Sequence, residues 1–259
     1  LLTQLMHDRR IDRMTVGELM EMDFNRGFVI PDILPSPSVV LIYGPGGDGK
    51  SMSAWTIGKH VALGLPFVVR GKLMPVEQGP VLILNGDQSM SQVQDQLEEV
   101  DMPADAPVHI QTNWHLKRMH RFCELMDEIK PKLVIVDSLI GCSGGSAFDE
   151  NKSEFASPLY WLSNYNGTAF PATTVLVIHH ANKQGGFRGT SAIRDSVDET
   201  WALKRPTAEE IVKDPRLANV RHIQIEKSRS GRSGTRLAMR MESDLTFSIS
   251  DATPEIDPG

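Results

Sequence analysis

The chain is 259 residues long, 40% hydrophobic and 23% charged, the balance of a globular protein with enough length for one large core. A net charge of −6 excludes a uniformly basic, nucleic-acid-coating surface, although it leaves room for basic residues lining a channel. No apolar run approaches the roughly 20 residues needed to cross a bilayer and no signal peptide is recognisable, so a cytoplasmic protein without a membrane partner is expected.

Residues 1–35 read as an entry segment: a charged stretch to Arg13, a short helical pattern near Val16 to Met22, then Pro31, Pro35 and Pro37. The segment is either an interdomain linker or an arm that packs on a neighbouring subunit. The first residue is Leu1 rather than Met, which suggests a piece of a longer polypeptide. From Val39 the pattern alternates strands and helices over a main domain, residues 36–252, leaving 253–259 as a tail. Val39 to Tyr43 form the first buried strand. A helix with Ala54, Ile57, Val61 and Ala62 on one side follows, with Gly64 as its stop.

Val81 to Leu84 are the next strand, expected beside the first. A helix beginning at Ser91, with Ser91 and Gln94 as a capping box, comes after it. Val108 to Ile110 precede a helix carrying Leu116, Met119, Cys123, Met126 and Ile129, its methionines read as core. Leu133 to Asp137 and Thr174 to Ile178 are two more buried strands, separated by a Gly/Ser-rich loop to Lys152 and a helix with Phe155, Leu159 and Leu162. Beyond residue 198, segments at 199–203, 221–227, 236–241 and 245–250 read as antiparallel strands extending the sheet, with polar residues 205–219 as a surface insertion. Cys123 and Cys142 lack metal-type spacing and read as two reduced thiols.

Between the first strand and its helix, Gly44, Pro45, Gly46, Gly47, Asp48, Gly49, Lys50 and Ser51, followed by Met52, match the phosphate-cradling pattern G-x-x-x-x-G-K-[ST]. Glycines let backbone N–H groups converge on phosphate oxygens, and the helix start adds its positive dipole end. Lys50 is placed to reach the β- and γ-phosphates and the Ser51 hydroxyl to ligate Mg²⁺, so ATP with Mg²⁺ is the expected cofactor pair.

In open α/β sheets ligands bind beyond the carboxyl ends of the strands. Three such ends carry chemistry here: Asp87, Asp137 and His180. Asp137, after four apolar residues, fits the carboxylate that holds Mg²⁺ through its water shell. It is followed by Ser138 rather than Glu, so the base that activates water must come from another strand, and Asp87 is the candidate; its alternative is a turn residue in Asn-Gly-Asp. His180 reads as a γ-phosphate sensor or a structural histidine, and His179 as support for the fold.

These residues together resemble the RecA-type ATPase core of hexameric replicative helicases, closest to the plasmid RepA helicase group and similar to DnaB, over about Phe28 to Ile249. The carriers are G-P-G-G-D-G-K-S-M at 44–52, N-G-D-Q at 85–88, V-I-V-D-S at 134–138, D-E-N at 149–151, V-I-H-H-A-N-K at 177–183, F-R-G-T-S-A-I at 187–193 and E-K-S-R-S-G at 226–231. The resemblance implies an α/β fold: a RecA-like P-loop NTPase core, mostly parallel and twisted, with helices on both faces and C-terminal antiparallel strands. It also implies a homo-oligomer, a hexameric ring, with sites between subunits and a basic residue supplied by the neighbour. Matching positions nominate Arg229 with Lys227, or Arg188, each with a surface salt bridge as its alternative. By the same resemblance Lys152, Lys183 and Arg188 are candidates to contact single-stranded DNA in the channel, where Phe148 and Phe187 are the few aromatic residues.

The basic cluster Arg221, Lys227, Arg229, Arg232, Arg236 and Arg240 reads equally as a channel lining or as the charged edges of a solvated hairpin. The whole reading is a ring-forming DNA helicase motor, with an attached primase domain as a partner in the longer protein. The alternatives are a RecA-like recombination or repair ATPase and a nucleotide-dependent switch that never translocates.

Overall fold

The computed structural model describes residues 15–21, 27–86, 88–115, 118–143, 151–170, 172–182, 184–242 and 247–252, and the side chains of all of these except 164–169. In chain order the elements are α1 (Val16–Glu21), β1 (Gly27–Ile30), β2 (Leu34–Ser36), β3 (Ser38–Gly44), α2 (Lys50–Leu63), β4 (Phe67–Val69), β5 (Lys72–Met74), β6 (Val81–Asn85), α3 (Met90–Glu99) and β7 (Val108–Gln111). There follow α4 (Met119–Ile129), β8 (Leu133–Asp137), α5 (Ser157–Ala169), β9 (Thr174–His180), α6 (Ser191–Asp195), β10 (Glu199–Lys204), α7 (Ala208–Lys213), β11 (Val220–Ser228), β12 (Arg236–Met241) and β13 (Phe247–Asp251). Among the described residues the main sheet has 11 strands in the order β5-β4-β13-β12-β11-β10-β3-β9-β8-β6-β7.

Every residue of β3, β6 and β8 is buried, as expected of parallel strands covered on both faces. Alternation along the strands sorts the core into two layers. Val40, Ile42, Ile83 and Ile135 join Trp55 and Val61 of α2, while Leu41, Leu82, Val134 and Val177 join Phe122 of α4 and Leu159 of α5. The α/β architecture, with a large mostly parallel sheet, helices on both faces and antiparallel strands near the C-terminus, is as the sequence implies.

Three local expectations are corrected and one is filled in. The strand at 81–85 is not beside β3: β9 and β10 flank β3, and β8 separates β9 from β6. In a doubly wound sheet a later strand returns to fill the place beside the first, so neighbours in sequence need not be neighbours in space. Helix α3 starts earlier than Ser91: its N-cap is Ser89, and Ser89 with Gln92 forms the capping box. Strand β10 runs parallel to β3 and antiparallel to β11, so the direction changes one strand later than expected. The polar stretch 205–219 lies at the surface as expected and holds α7, whose N-cap Thr207 makes a capping box with Glu210, and a 3-10 turn at Pro215–Asn219, neither of which buries a residue.

The entry segment divides. Val29, Ile30, Ile33 and Leu34 lie at 0–5% exposure in the same core cluster as Trp55, so the hairpin β1–β2 is part of the packed core. Helix α1 buries none of its residues, and Val16 and Met20 are each 79% exposed. Both cysteines are buried and neither is in a disulfide. Expectations for residues 1–14, Leu116, Phe148 and the tail 253–259 lie outside the described residues.

Candidate nucleotide site

Strand β3 delivers the loop 44–51 to the carboxyl end of the sheet. Gly44 has no room for a side chain, since a Cβ would lie 2.2 Å from the Leu203 carbonyl oxygen of β10. Gly49 is the N-cap of α2 with φ 86°, a left-handed conformation that glycine adopts without strain. The N–H groups of Gly46, Gly47, Asp48 and Gly49 donate to no acceptor among the described residues, which leaves a row of donors at a helix N-terminus. Among the described residues nothing lies within 4 Å of the Cβ positions of Gly46 and Gly47. Met52 turns away and packs against the core.

Lys50 is 5% exposed, and its ammonium donates to the carbonyls of Gly44 at 2.9 Å and Pro45 at 2.6 Å. Burial lowers its pKa, with Asp48 and Asp137 pulling the other way. Asp137, 3% exposed at the end of β8, accepts from Ser51 Oγ at 3.1 Å and from Trp55 Nε1 at 3.0 Å. A hydroxyl and a carboxylate brought this close fit Mg²⁺, which takes one or two protein oxygens and completes its shell with water and phosphate. No group of three His, Cys, Asp or Glu that could hold a metal is present among the described residues.

His180 is level with Gly44 in the β3–β9 register, and the next residue, Ala181, donates its N–H to the Gly44 carbonyl at 2.9 Å. His179 is fully buried and donates from Nε2 to the Arg188 carbonyl at 2.8 Å, which fixes the protonated nitrogen. Asn182 folds the loop after β9: its Oδ1 accepts from the N–H groups of Gln184 and Gly186, and its Nδ2 donates to the Phe187 carbonyl. Phe187, considered as a base-stacking residue, packs edge-on against Tyr43 with ring centroids 5.1 Å apart. Arg188 is exposed at this end, and Lys152 is the exposed N-cap of the 3-10 turn Ser153–Ala156. Asp87 and Lys183 lie outside the described residues. The strand end before Asp87 does adjoin the site, because Asn85 is level with Asp137 and holds the following turn through Gln88.

Lys227 and Arg229 sit at the opposite end of the sheet. The Lys227 ammonium donates to the carbonyls of Arg194, Asp195 and Val197 at 2.6, 3.0 and 2.7 Å, closing the C-terminal end of α6. Burial, and then Arg229, lower its pKa. Arg229 binds the Asp198 carboxylate and Ser163 Oγ, at 2.9 and 2.8 Å, and the same carboxylate accepts the Val39 N–H at the start of β3. Val39 is five residues before Gly44, about 17 Å along a strand.

The basic cluster at 221–240, carried by β11, β12 and the turn that joins them, sends its side chains to different partners. Arg221 turns to the phosphate loop, donating from Nε to the Asp48 carbonyl at 2.7 Å, and Arg232 pairs with buried Glu199 at 2.6 Å. Arg236 lines a cavity of about 290 Å³ together with Lys204, Arg205, Glu210, His222 and Glu226. This cavity adjoins the phosphate loop, since the Arg205 N–H donates to Asp48 Oδ2 at 3.3 Å. Sequence reasoning missed Arg221 and the cavity, because nothing in the linear pattern separates Arg221 from its five basic neighbours.

A protein-family model described as an AAA domain matches residues 9–186, a span that contains the phosphate loop, Asp137 and His180. No curated protein matches the chain. No helix among the described residues is long and apolar enough to cross a membrane.

Proposed function

The chain belongs to the AAA domain family, a family of P-loop nucleotide-dependent ATPases, and on that footing we propose that it is the ATP-hydrolysing motor domain of a ring-forming, hexameric DNA helicase. The observation that carries the proposal is the placement of Arg229. Its guanidinium is tied to the N-terminal end of β3, about 17 Å of strand away from the phosphate loop at the other end, so it serves no nucleotide in its own chain. A basic motif held rigidly at the far end of the domain suits the site of a neighbouring copy, where an inserted guanidinium stabilises the charge that develops on the phosphoryl oxygens.

Within one copy the loop N–H groups hold the phosphates, and Lys50 exchanges the carbonyls of Gly44 and Pro45 for phosphate oxygens. Ser51 and Asp137 would hold Mg²⁺, which when bound would neutralise phosphate charge. Asp87 takes the proton of the attacking water, and His180, beside Gly44, senses the γ-phosphate. The cavity at Arg205 and His222 receives the nucleoside base. Single-stranded DNA passes the loops that carry Lys152, Lys183 and Arg188, and a primase is the companion this reading expects.

The test is the ATPase rate with and without single-stranded DNA, for the wild type and Lys50→Ala, beside mass measurement with a non-hydrolysable ATP analogue. DNA stimulation in a six-membered assembly supports the motor; a monomer without stimulation under all conditions sinks it. Arg229→Ala subunits, inactive alone, should recover activity when mixed with Lys50→Ala subunits, because each supplies the half-site the other lacks.

A further inference from the structure

Arg221 reaches the phosphate loop from a distant strand. It lies on β11 on the same side as Ile223 and Ile225, the side that packs against α2. Its Nε donates to the Asp48 carbonyl at 2.7 Å, and its Nη1 donates to the carbonyls of Ala218 and Val220 at 3.2 and 2.8 Å. The guanidinium lies where a side chain of residue 49 would be, with Nε 3.0 Å and Nη2 3.3 Å from the Cβ position of Gly49.

In a planar trans peptide the C=O and the N–H point in opposite directions. Holding the Asp48 carbonyl toward β11 therefore turns the Gly49 N–H away from β11, and this N–H is one of the donors without an acceptor among the described residues. The φ of 86° at Gly49, which completes this turn of the backbone, is the conformation the packed guanidinium permits only for a residue lacking Cβ. Two further carbonyl bonds immobilise the guanidinium itself, so the aim of the Gly49 N–H is fixed before any anion arrives.

We propose that Arg221 is a positioning residue for triphosphate binding in its own subunit: it clamps the Asp48–Gly49 peptide so that the Gly49 N–H faces the phosphates. This inference rests on the phosphate-loop reading. Arg221 acts through the loop rather than by touching the nucleotide, so its loss weakens nucleotide affinity and KM more than kcat.

The experiment is titration of the 259-residue chain with the fluorescent nucleotide mant-ADP and Mg²⁺, beside steady-state ATP hydrolysis. Arg221→Met should weaken binding about tenfold, the loss of one charge-assisted bond, with kcat at saturating ATP within about threefold of wild type. Arg221→Lys, which keeps one donor for the Asp48 carbonyl, should recover part of the affinity. Arg216→Ala removes a charge from an exposed neighbouring position without touching the loop, and should bind within about twofold of wild type.

Unchanged affinity in Arg221→Met overturns the inference, and so does an equal loss in Arg216→Ala, which would mean a long-range charge effect. Should Arg221→Met fail to fold, Arg221→Lys decides: a partial loss of affinity supports the clamp and an unchanged affinity overturns it. Absence of mant-ADP binding by the wild type would overturn the phosphate-loop reading as well. Wild-type binding abolished by Lys50→Ala and untouched by Arg221→Met overturns the Arg221 inference alone.

Discussion

The Tyr43 hydroxyl donates a 2.7 Å hydrogen bond to Glu226 Oε1, joining the strand that feeds the phosphate loop to the strand that runs on into Lys227 and Arg229. Glu226 is held from its other side by Arg194 of α6, with Nη2 3.1 Å from Oε2, and the Arg194 guanidinium lies over the Phe187 ring at 5.4 Å. The end of β3, the loop after β9, helix α6 and strand β11 thus meet around one carboxylate.

Tyr43→Phe removes the hydroxyl and leaves Glu226 paired with Arg194. The loss should be roughly 1.5–3 kcal/mol, the value of a hydrogen bond to a charged group, read as a lower urea midpoint at pH 7 with an unchanged slope. A wild-type midpoint retained in the variant would show that the contact contributes nothing to stability.

The same pair predicts an alkaline dependence. Burial, then the hydrogen bond and charge of Glu226, push the Tyr43 pKa well above its ordinary value, so the folded state holds the proton that the unfolded chain releases near pH 10. A raised folded pKa contributes stability that is complete below the unfolded value and is lost as pH rises beyond it. The stability gap between wild type and Tyr43→Phe should therefore be constant from pH 7 to 9 and shrink above pH 10, as followed by urea midpoints at each pH.

Lys50→Met should separate binding from folding. The ammonium is buried at a desolvation cost that lowers its pKa, so replacing it with an apolar chain of similar length should leave the Tm of the free protein unchanged or higher. The rise in Tm on adding ATP and Mg²⁺ should disappear. Differential scanning fluorimetry with and without nucleotide measures both.

Asp137 offers a pair of variants with different outcomes. Asp137→Ala leaves the indole N–H of Trp55 without its acceptor in the core and should cost about 1–3 kcal/mol. Asp137→Asn keeps an oxygen for Trp55 and turns its amide toward Ser51 Oγ, so its stability should stay within about 1 kcal/mol of wild type. Both should abolish the Mg²⁺ dependence of nucleotide binding, measured by calorimetry with and without the cation.

Glu199, 1% exposed, accepts from Trp201 Nε1, Ser228 Oγ, Ser230 Oγ and two nitrogens of Arg232, whose third nitrogen reaches the Asp32 carbonyl. Glu199→Ala strands a largely buried guanidinium and should cost about 3–5 kcal/mol. Amide exchange in residues 228–235, the turn that Glu199 holds, should rise more than exchange in β3 or β8.

Local chemistry made much of the molecule readable in the sequence. The runs at 39–43, 81–84, 133–136 and 174–178 are strands because each is apolar on both faces, and the glycines, Lys50 and Ser51 of the loop declare an anion cradle through backbone freedom and charge. Gly64 ends α2, as its position suggested, and does so in the left-handed conformation. Asp137 at the end of its strand was legible too, because a carboxylate after four buried residues has to emerge at the sheet's carboxyl edge.

What the linear pattern does not contain is which strands lie side by side and where each charge finds its partner. The placing of β9 and β10 beside β3 depends on crossovers that the strands' own periodicity leaves open, and it is this order that sets His180 level with Gly44. Six basic residues within 221–240 look alike in sequence, yet folding sends one to the phosphate loop, two to the far end of the sheet and one to a buried carboxylate. The sequence by itself determined that the chain carries a phosphate-binding loop of the P-loop ATPase kind, because that chemistry is contiguous. Only the tertiary structure decided that Arg221 serves the chain's own loop and that Arg229 is out of its reach, because those relations are distances between strands far apart in the chain.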